Sequence, residues 1–362
     1  MTASTATLIF PAGMPRSLEF LGTCQRERRK VIGASSLAFD PSRPLYPDWV
    51  TLPYINHDDF ADVLKQAIRD CGIGSIYSSH PVVWDYLDKN LATIAPGVAL
   101  LNTSPANAEL ESYRVAVGRA KALLNAPIDF SGVAKVKPNM PEIQISALYL
   151  HSERIPGMCD HDKIRALYEV ARCCPEGDIV EIGSWWGKSA FIFLRLAQHF
   201  QVGNMLCVDP WSDEHLVQHD KNSMVDAASA QFSAAEALTV FQMNLLPYAG
   251  AQVNYLRLPS VAAAESYRST TVVESAEFGT TRYSGKIAML HVDGNHSYEN
   301  AKADVEAWAP LVTQGGWIII DDYRWPFGDG PQRVGDDFLR INEASISTAY
   351  VMGGALFIQI MH

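Results

Sequence analysis

The sequence predicts an α/β chain with two domains, each built on a mainly parallel β-sheet. Short apolar runs alternate with amphipathic helical segments along most of the chain, which is the pattern of strand–helix–strand units. In the second half, three apolar runs each end directly on an acid, at Asp209, Asp293 and Asp321. Two further β segments flank Gly353-Gly354, which predicts an antiparallel hairpin at the end of the second sheet.

Composition narrows the class of protein. A chain of 362 residues favours two domains, and 48% apolar with 19% charged residues is typical of a soluble globular enzyme. The net charge of −11, without a basic stripe, argues against partners such as nucleic acid or a membrane surface. No apolar run approaches the ~20 residues of a membrane helix, and the first residues lack a signal-peptide layout. Six cysteines form no C-x-x-C pair, so we expect reduced thiols and a cytoplasmic protein.

Residues 1–125 are predicted to form a smaller N-terminal α/β domain. The predicted strands are 6–10, 30–34, 48–52 and 73–77, and the predicted helices are 16–24, 58–71, 82–91 and 106–124. The segments LIFPAGMPRSLEFLG, VIGASS and WVTLPYINHDDFADVLKQAIRDCGIGSIYSSHPVVWDYL resemble the N-terminal (pre-ATP-grasp) domain of ATP-grasp ligases. No ATP-grasp module follows, so we expect a docking, substrate-contacting or dimerisation role. Pro11-Ala12-Gly13 lacks the second glycine and the lysine of a phosphate loop, so a structural turn is favoured.

Residues 126–150 are predicted to be a linker, because they carry three prolines and a glycine. Within them, residues 143–150 are expected to be a strand or an extended segment. The second domain then covers residues 151–362 and begins with a helix at 160–173.

The second domain is organised around a strand, a glycine turn, a helix and a second strand at residues 178–211. The spacing is E-x-G-x-x-x-G, from Glu181 through Gly183 to Gly187, and Asp209 ends the next strand. A glycine turn lets a ligand approach the backbone, and the helix start beside it offers unpaired N–H groups. An acid at a strand tip can bind both ribose hydroxyls. The alternative is an ordinary strand–helix–strand unit with a glycine turn.

The remaining elements extend this sheet. Residues 212–235 are expected to be a lid or loop with helical pieces, and residues 261–285 an insertion with a turn at its end. Because parallel strands end at one edge of a sheet, the acids that follow them should lie together. The further predicted strands are 253–256, 287–292, 317–320, 348–352 and 355–360, and the further helices are 237–244 and 297–308.

Asp293, Asp321 and Asp322 are the candidate metal ligands. Three neighbouring carboxylates repel one another, and burial increases the repulsion, so a cation is the natural compensation. Oxygen ligands favour Mg²⁺ or a similar hard ion. The alternative is that Asp321 and Asp322 only cap the segment after their strand.

His296 is the candidate general base, because it follows Asp293 in the loop at the same edge. A hydroxyl is a poor nucleophile at neutral pH, so a reaction in which a hydroxyl attacks requires a base, a metal ion or both. Histidine titrates in the appropriate range. A structural role for His296 is the alternative, and His291, inside its strand, is predicted to be a satisfied core histidine.

The motifs EIGSWWGKS, VDPW, HVDGNHSYENAKADVEAW and GGWIIIDDY resemble class I S-adenosylmethionine-dependent methyltransferases, in particular the macrocin and mycinamicin sugar O-methyltransferases and the related cephalosporin hydroxylase group. The resemblance covers residues 151–362. It implies a Rossmann-like class I methyltransferase domain, with a mostly parallel seven-stranded sheet and an antiparallel C-terminal hairpin. It also implies a divalent cation at the three aspartates and His296 as the base. The expected S-adenosylmethionine-binding residues are Glu181, Gly183, Ser184, Gly187, Ser189, Asp209, Trp211 and Ser260.

These observations predict an Mg²⁺- and S-adenosylmethionine-dependent O-methyltransferase. Its substrate would be a small hydroxylated molecule, a sugar or a glycosylated natural product, as in natural product biosynthesis. The acceptor hydroxyl would attack the methyl group in line, so positioning would supply much of the rate. A homo-oligomer is compatible with the sequence. The alternatives are an oxidative enzyme of the cephalosporin hydroxylase type and a non-catalytic cofactor-binding scaffold.

Overall fold

The computed structural model describes residues 5–130, 137–215 and 231–361. The chain divides into two compact units, Met1–Arg114 and Val115–His362. Two predictions fall partly outside the described residues: the linker, at 131–136, and the lid or loop, at 216–230. No described helix is long and apolar enough to cross a membrane.

The N-terminal unit is built on a parallel sheet whose five described strands have the order β3-β2-β1-β4-β5. The second helix shows why these segments fold as predicted, since Phe60, Leu64 and Ile68 recur at helical spacing and are buried. The strands are β1 (Ala6–Ile9), β2 (Val31–Ser35), β3 (Asp48–Thr51), β4 (Ile73–Tyr77) and β5 (Ala99–Leu100), and the helices are α1 (Pro15–Arg26), α2 (Phe60–Cys71) and α3 (Pro81–Ile94).

Among the described residues, three helices lie between the two sheets in the sequence: α4 (Pro105–Asn125), α5 (Glu142–Ser152) and α6 (His161–Cys173). Helix α4 begins in the N-terminal unit and continues past Arg114. Helix α5 replaces the strand or extended segment predicted at 143–150, so that prediction is wrong. Its buried residues Ile145, Leu148 and Tyr149 are spaced by three and four positions, which places them on one face of a helix.

The C-terminal unit contains a sheet whose seven described strands have the order β13-β14-β12-β11-β6-β7-β8. All neighbours are parallel except those of β14, which pairs antiparallel with β12 and β13. This is the predicted fold class, including the closing hairpin. The strands are β6 (Asp178–Ile182), β7 (Met205–Val208), β8 (Val253–Leu256), β11 (Ile287–Val292), β12 (Val312–Ile320), β13 (Ile346–Met352) and β14 (Ala355–Ile360), and between β8 and β11 lies a separate hairpin of β9 (Val272–Ser275) and β10 (Gly279–Arg282).

Helices cover both faces of this sheet. Alternate residues of each central strand enter different cores, with Ile179 of β6 in one core and Val180 in the other. The helices that contribute to the first core are α4, α5, α6 (His161–Cys173), α7 (Lys188–Phe200) and α8 (Ala234–Leu245). Those of the second core are α9 (Ser260–Ser269), α10 (Tyr298–Trp308) and α11 (Gly330–Ile341). Both faces are therefore buried, which explains the continuous apolar runs of the strands.

Candidate active site

Strands β6 and β11 end side by side, which brings their following residues into contact. Val292 pairs with Ile182, and the backbone N–H of Asp293 donates to the carbonyl of Ile182 at 2.9 Å. Gly183 has φ +83°, and a Cβ added there would lie 1.9 Å from the carbonyl oxygen of Asp293. The glycine predicted to open the cofactor turn is therefore also required for this close approach of two backbones.

Asp209 holds the turn after β6 in place. Its Oδ2 accepts the backbone N–H of Trp185 at 3.0 Å, and its Oδ1 accepts that of Trp211 at 2.8 Å. Both tryptophans have positive φ, 47° and 39°, a conformation that non-glycine residues adopt at a cost of about 1–3 kcal/mol. Burial raises the pKa of Asp209, although these two N–H donors oppose the effect. The carboxylate is thus placed beside the turn and oriented by it.

Glu181 is fully buried below this turn. Its Oε1 contacts His291 Nδ1 at 3.1 Å, while its buried Oε2 has no hydrogen-bond partner among the described residues. The other predicted cofactor residues are Ser184, which is buried, Gly187, the left-handed N-cap of α7, and Ser189 in the first turn of α7. Ser260 accepts a hydrogen bond at its Oγ from Trp308 Nε1 at 3.0 Å, so its contacts lie with α10.

A chain of buried polar contacts continues from Glu181 to a lysine. His291 Nε2 lies 3.1 Å from Asp321 Oδ2, and the same oxygen forms an ion pair with Lys163 Nζ from α6. Burial alone would lower the pKa of His291, but hydrogen bonds to Asp321 and Glu181 raise it to about 10. Burial would raise the pKa of Asp321, but Lys163 and His291 hold it far below its usual value. His291 is thus the satisfied core histidine that we predicted, and its partners are carboxylates.

Asp293, Asp322 and His296 form a second group at the same edge. His296 Nε2 lies 2.9 Å from Asp322 Oδ2, and the His296 ring packs against Trp325 with 4.3 Å between centroids. One potential ligand atom from each of Asp293, His296 and Asp322 lies within 4.8 Å of the others. Burial, followed by the charge of Asp321, raises the pKa of Asp293 well above its usual value. The edge thus gathers Asp293, Asp321, Asp322 and His296 as predicted from the sequence.

Sequence reasoning missed the two cationic partners of this edge. The sequence predicts His291 as a core histidine without indicating its partners, and no sequence pattern indicates Lys163. Lys163 lies 158 residues from Asp321 in the sequence, in a helix of ordinary amphipathic pattern. Only its early position in α6, after the N-cap Asp160, could have indicated proximity to a strand end.

The seven-stranded sheet with its antiparallel hairpin has the predicted Rossmann-like class I methyltransferase fold. A family model described as a methyltransferase domain matches residues 180–323, which span β6 to the residues after β12. The predicted resemblance to class I methyltransferases is confirmed, since residues 180–323 of the C-terminal unit match a methyltransferase domain.

Several solved structures are similar to this chain at low identity. The O-methyltransferase NovP is 15% identical, with 69% of this chain and 98% of that chain covered and a TM-score of 0.38. CalS11, a TDP-rhamnose 3'-O-methyltransferase of calicheamicin biosynthesis, is 16% identical, with 72% and 96% covered and a TM-score of 0.37. MycE of the mycinamycin pathway, in complex with Mg, SAH and mycinamycin VI, is 15% identical, with 73% and 64% covered and a TM-score of 0.37.

Proposed function

We propose that the C-terminal unit transfers the methyl group of S-adenosylmethionine to a hydroxyl of a small molecule, with a divalent cation at the acidic strand ends. The observation that supports this most is the buried chain from Glu181 through His291 to Asp321. It joins the turn where we place the cofactor to the carboxylates where we place the cation. Two sites that must cooperate in one transfer would then share one rigid support.

The residues around the turn fit the cofactor. The buried Oε2 of Glu181 is an acceptor without a described partner, which suits an amino group such as that of the methionine moiety. Asp209 accepts one N–H at each oxygen and retains lone pairs for the ribose hydroxyls. The further cofactor-binding residues that we propose are Gly183, Ser184, Gly187, Ser189, Trp211 and Ser260.

The acidic residues fit a hard divalent cation. Asp293, Asp321 and Asp322 supply oxygen donors at one edge, and the raised pKa of Asp293 reflects burial and repulsion that a cation would relieve. When bound, Mg²⁺ or a similar ion would orient and polarise the oxygens of the acceptor. The left-handed backbone of Asp322, with φ +50°, turns this residue away from the direction of its strand.

His296 is the proposed general base. Asp322 Oδ2 lies 2.9 Å from its Nε2, and this contact orients the ring. Packing of the ring against Trp325 fixes its plane. His296 would then take the acceptor's proton as the oxygen attacks the methyl group.

The acceptor that we propose is a sugar or a glycosylated natural product with neighbouring hydroxyls, since two adjacent oxygens could both reach the cation. Purified full-length protein should transfer label from methyl-labelled S-adenosylmethionine to a glycoside in a metabolite extract, detected by mass spectrometry. EDTA should stop the transfer, and Mg²⁺ should restore it. An oxidised product without methyl transfer would favour the hydroxylase alternative, and cofactor binding without any product would favour the scaffold alternative.

The domain assignment of residues 1–125, the linker at 126–150 and the domain at 151–362 stays a proposal. For the N-terminal unit we propose docking, acceptor contact or dimerisation, as the resemblance to the pre-ATP-grasp domain implies.

A further inference from the structure

We propose that Trp325 and Phe327 bind an apolar group of the acceptor beside His296, the proposed base. The acceptor would then be a glycoside with an apolar aglycone, rather than a free sugar or a nucleotide-linked sugar. Both aromatic residues belong to residues 323–329, the segment that leads from the aspartates after β12 to α11, which we call the aromatic loop. This inference rests on the proposed function, in which a hydroxyl of the acceptor reacts at this edge of the sheet.

Trp325 brings the aromatic loop into contact with the proposed base. The rings of Trp325 and His296 pack with 4.3 Å between centroids, at an interplanar angle of 58°. The other contact of His296 is with Asp322, whose Oδ2 lies 2.9 Å from its Nε2. A group bonded to the carbon that carries the reacting hydroxyl would therefore lie within reach of the indole of Trp325.

Phe327 extends this apolar surface towards solvent. Its ring packs edge-to-face against that of Trp325, with 5.5 Å between centroids and an interplanar angle of 71°. Phe327 is 47% exposed, and Trp325 is half-buried. Single exposed apolar side chains are common on proteins, but two aromatic rings in contact form a continuous apolar surface. Beside a reactive group, such a surface is typical of a small-molecule site, where aromatic side chains supply contact area and a few polar groups orient the ligand.

Contacts near both ends of the aromatic loop hold this surface in place. Near its start, the backbone N–H of Arg324 donates to the carbonyl of Gly354 at 2.9 Å. Just after its end, a Cβ added at Gly330 would lie 2.1 Å from the carbonyl oxygen of His296, so α11 begins directly against the backbone of the proposed base. A surface that is already formed loses less conformational freedom when the ligand binds.

The charges along the aromatic loop separate an apolar aglycone from a nucleotide. Arg324 is exposed and precedes Trp325, so it could meet a diphosphate while a base stacks on the rings. Asp329 is also exposed, however, and follows Phe327 by two residues. Its carboxylate would repel a diphosphate at the solvent end of the surface, whereas a neutral aglycone meets no such repulsion. The apolar aglycone is therefore favoured.

The test is binding of methyl β-D-glucoside, phenyl β-D-glucoside and UDP-glucose to full-length protein, measured by calorimetry with Mg²⁺ and S-adenosylhomocysteine present. The two glucosides carry the same sugar and differ only in the aglycone. Wild type should bind the phenyl glucoside at least about tenfold more tightly than the methyl glucoside, because it buries more apolar surface, and more tightly than UDP-glucose. Phe327→Ala should reduce the preference between the glucosides to about threefold or less without changing the affinity for S-adenosylhomocysteine. Ile341→Ala, at the exposed last residue of α11, is the matched control and should keep the wild-type preference.

The outcomes separate this inference from the proposed function. Equal affinity of wild type for the two glucosides, binding of neither, or tighter binding of UDP-glucose would overturn the inference. A preference for the phenyl glucoside that persists in the folded Phe327→Ala variant would also overturn it, because another surface would then bind the aglycone. The proposed function stands in each of these cases if wild type transfers labelled methyl groups to a metabolite extract. A wild-type protein that transfers none would overturn the proposed function and this inference with it.

Discussion

Replacing His291 by glutamine should destabilise the C-terminal unit most at low pH and much less at high pH. His291 is fully buried between Glu181 and Asp321, so its positive charge compensates two carboxylates. The pKa of His291 is about 10 in the folded protein, against 6.5 as its ordinary value. The folded state therefore binds this proton more tightly than the unfolded chain does.

The sign and size of the effect follow from this difference. The stabilisation is fully present below about pH 6.5, falls by at most about 1.4 kcal/mol per pH unit above it, and is lost as the pH rises through about 10. The full difference between the two pKa values of His291 corresponds to a stabilisation of at most on the order of 5 kcal/mol. Removing one partner of a buried pair costs about 3–5 kcal/mol. We therefore expect the His291→Gln substitution to cost about 3 kcal/mol or more at about pH 6.

The assay is urea unfolding of the full chain in EDTA, followed by tryptophan fluorescence at several pH values between about 6 and 9.5. Of the eight tryptophans, only Trp49 and Trp84 lie before Val115, so the signal reports mainly the C-terminal unit. His57→Gln, at an exposed histidine of the N-terminal unit, is the matched control and should show no such trend. A loss of stability for His291→Gln that is the same at every pH would refute the reasoning, because His291 would then be neutral in the folded protein.

Three further predictions concern the proposed reaction. Asp209→Ala should weaken binding of S-adenosylhomocysteine at least about tenfold, or about 1.4 kcal/mol, by calorimetry, since it removes the acceptor for the ribose hydroxyls. EDTA should abolish methyl transfer but not cofactor binding, and Asp322→Asn should reproduce this effect in the presence of Mg²⁺. His296→Ala should lower the transfer rate by about 10²–10⁴-fold while Mn²⁺ and cofactor affinities stay close to wild type.

Each of these predictions has a contradicting result. Unchanged affinity in a folded Asp209→Ala variant would remove Asp209 from the cofactor site. Full turnover after exhaustive chelation would show that the reaction does not require a divalent cation. Near-normal turnover of the His296→Ala variant would mean that His296 has only a structural role. Loss of Mn²⁺ binding in this variant would mean that His296 is a metal ligand or a support for Asp322.

The acid-bearing strand ends could be predicted because they depend on local sequence. Apolar runs followed by Asp209, Asp293 and Asp321 define the strands and the points at which they end. Parallel pairing then places these ends at the same edge of the sheet. The hairpin around Gly353-Gly354 could be predicted for the same reason. Whether Asp293, Asp321 and Asp322 bind a cation stays a prediction.

Most of the parts that could not be predicted depend on contacts between distant segments, whereas helix α5 has a local cause. Residues 143–150, predicted to be a strand or an extended segment, form helix α5, because the prolines precede the helix and Ile145, Leu148 and Tyr149 recur at helical spacing. The insertion at 261–285 contains α9 and the β9–β10 hairpin, which Asn254 joins to β8 through hydrogen bonds to Val273 and Gly279. For α11 we made no prediction. The contact of Lys163 with Asp321 could not be predicted either, since no local pattern indicates that a lysine will contact an aspartate of a distant strand.

The position of Lys163 has a consequence for dissecting the protein. A fragment that begins at β6 would retain the matched methyltransferase residues, every acid of the sheet edge and the whole hairpin. It would lack α6, so Asp321 would lose its ion pair with Lys163, and Gly353 would lose the helix against which it packs. The smallest autonomous piece must therefore begin before the N-cap Asp160. A chimaera that exchanges only residues 180–323 with another methyltransferase would inherit a carboxylate cluster without its internal counter-charge unless the recipient supplies a cation from the equivalent helix.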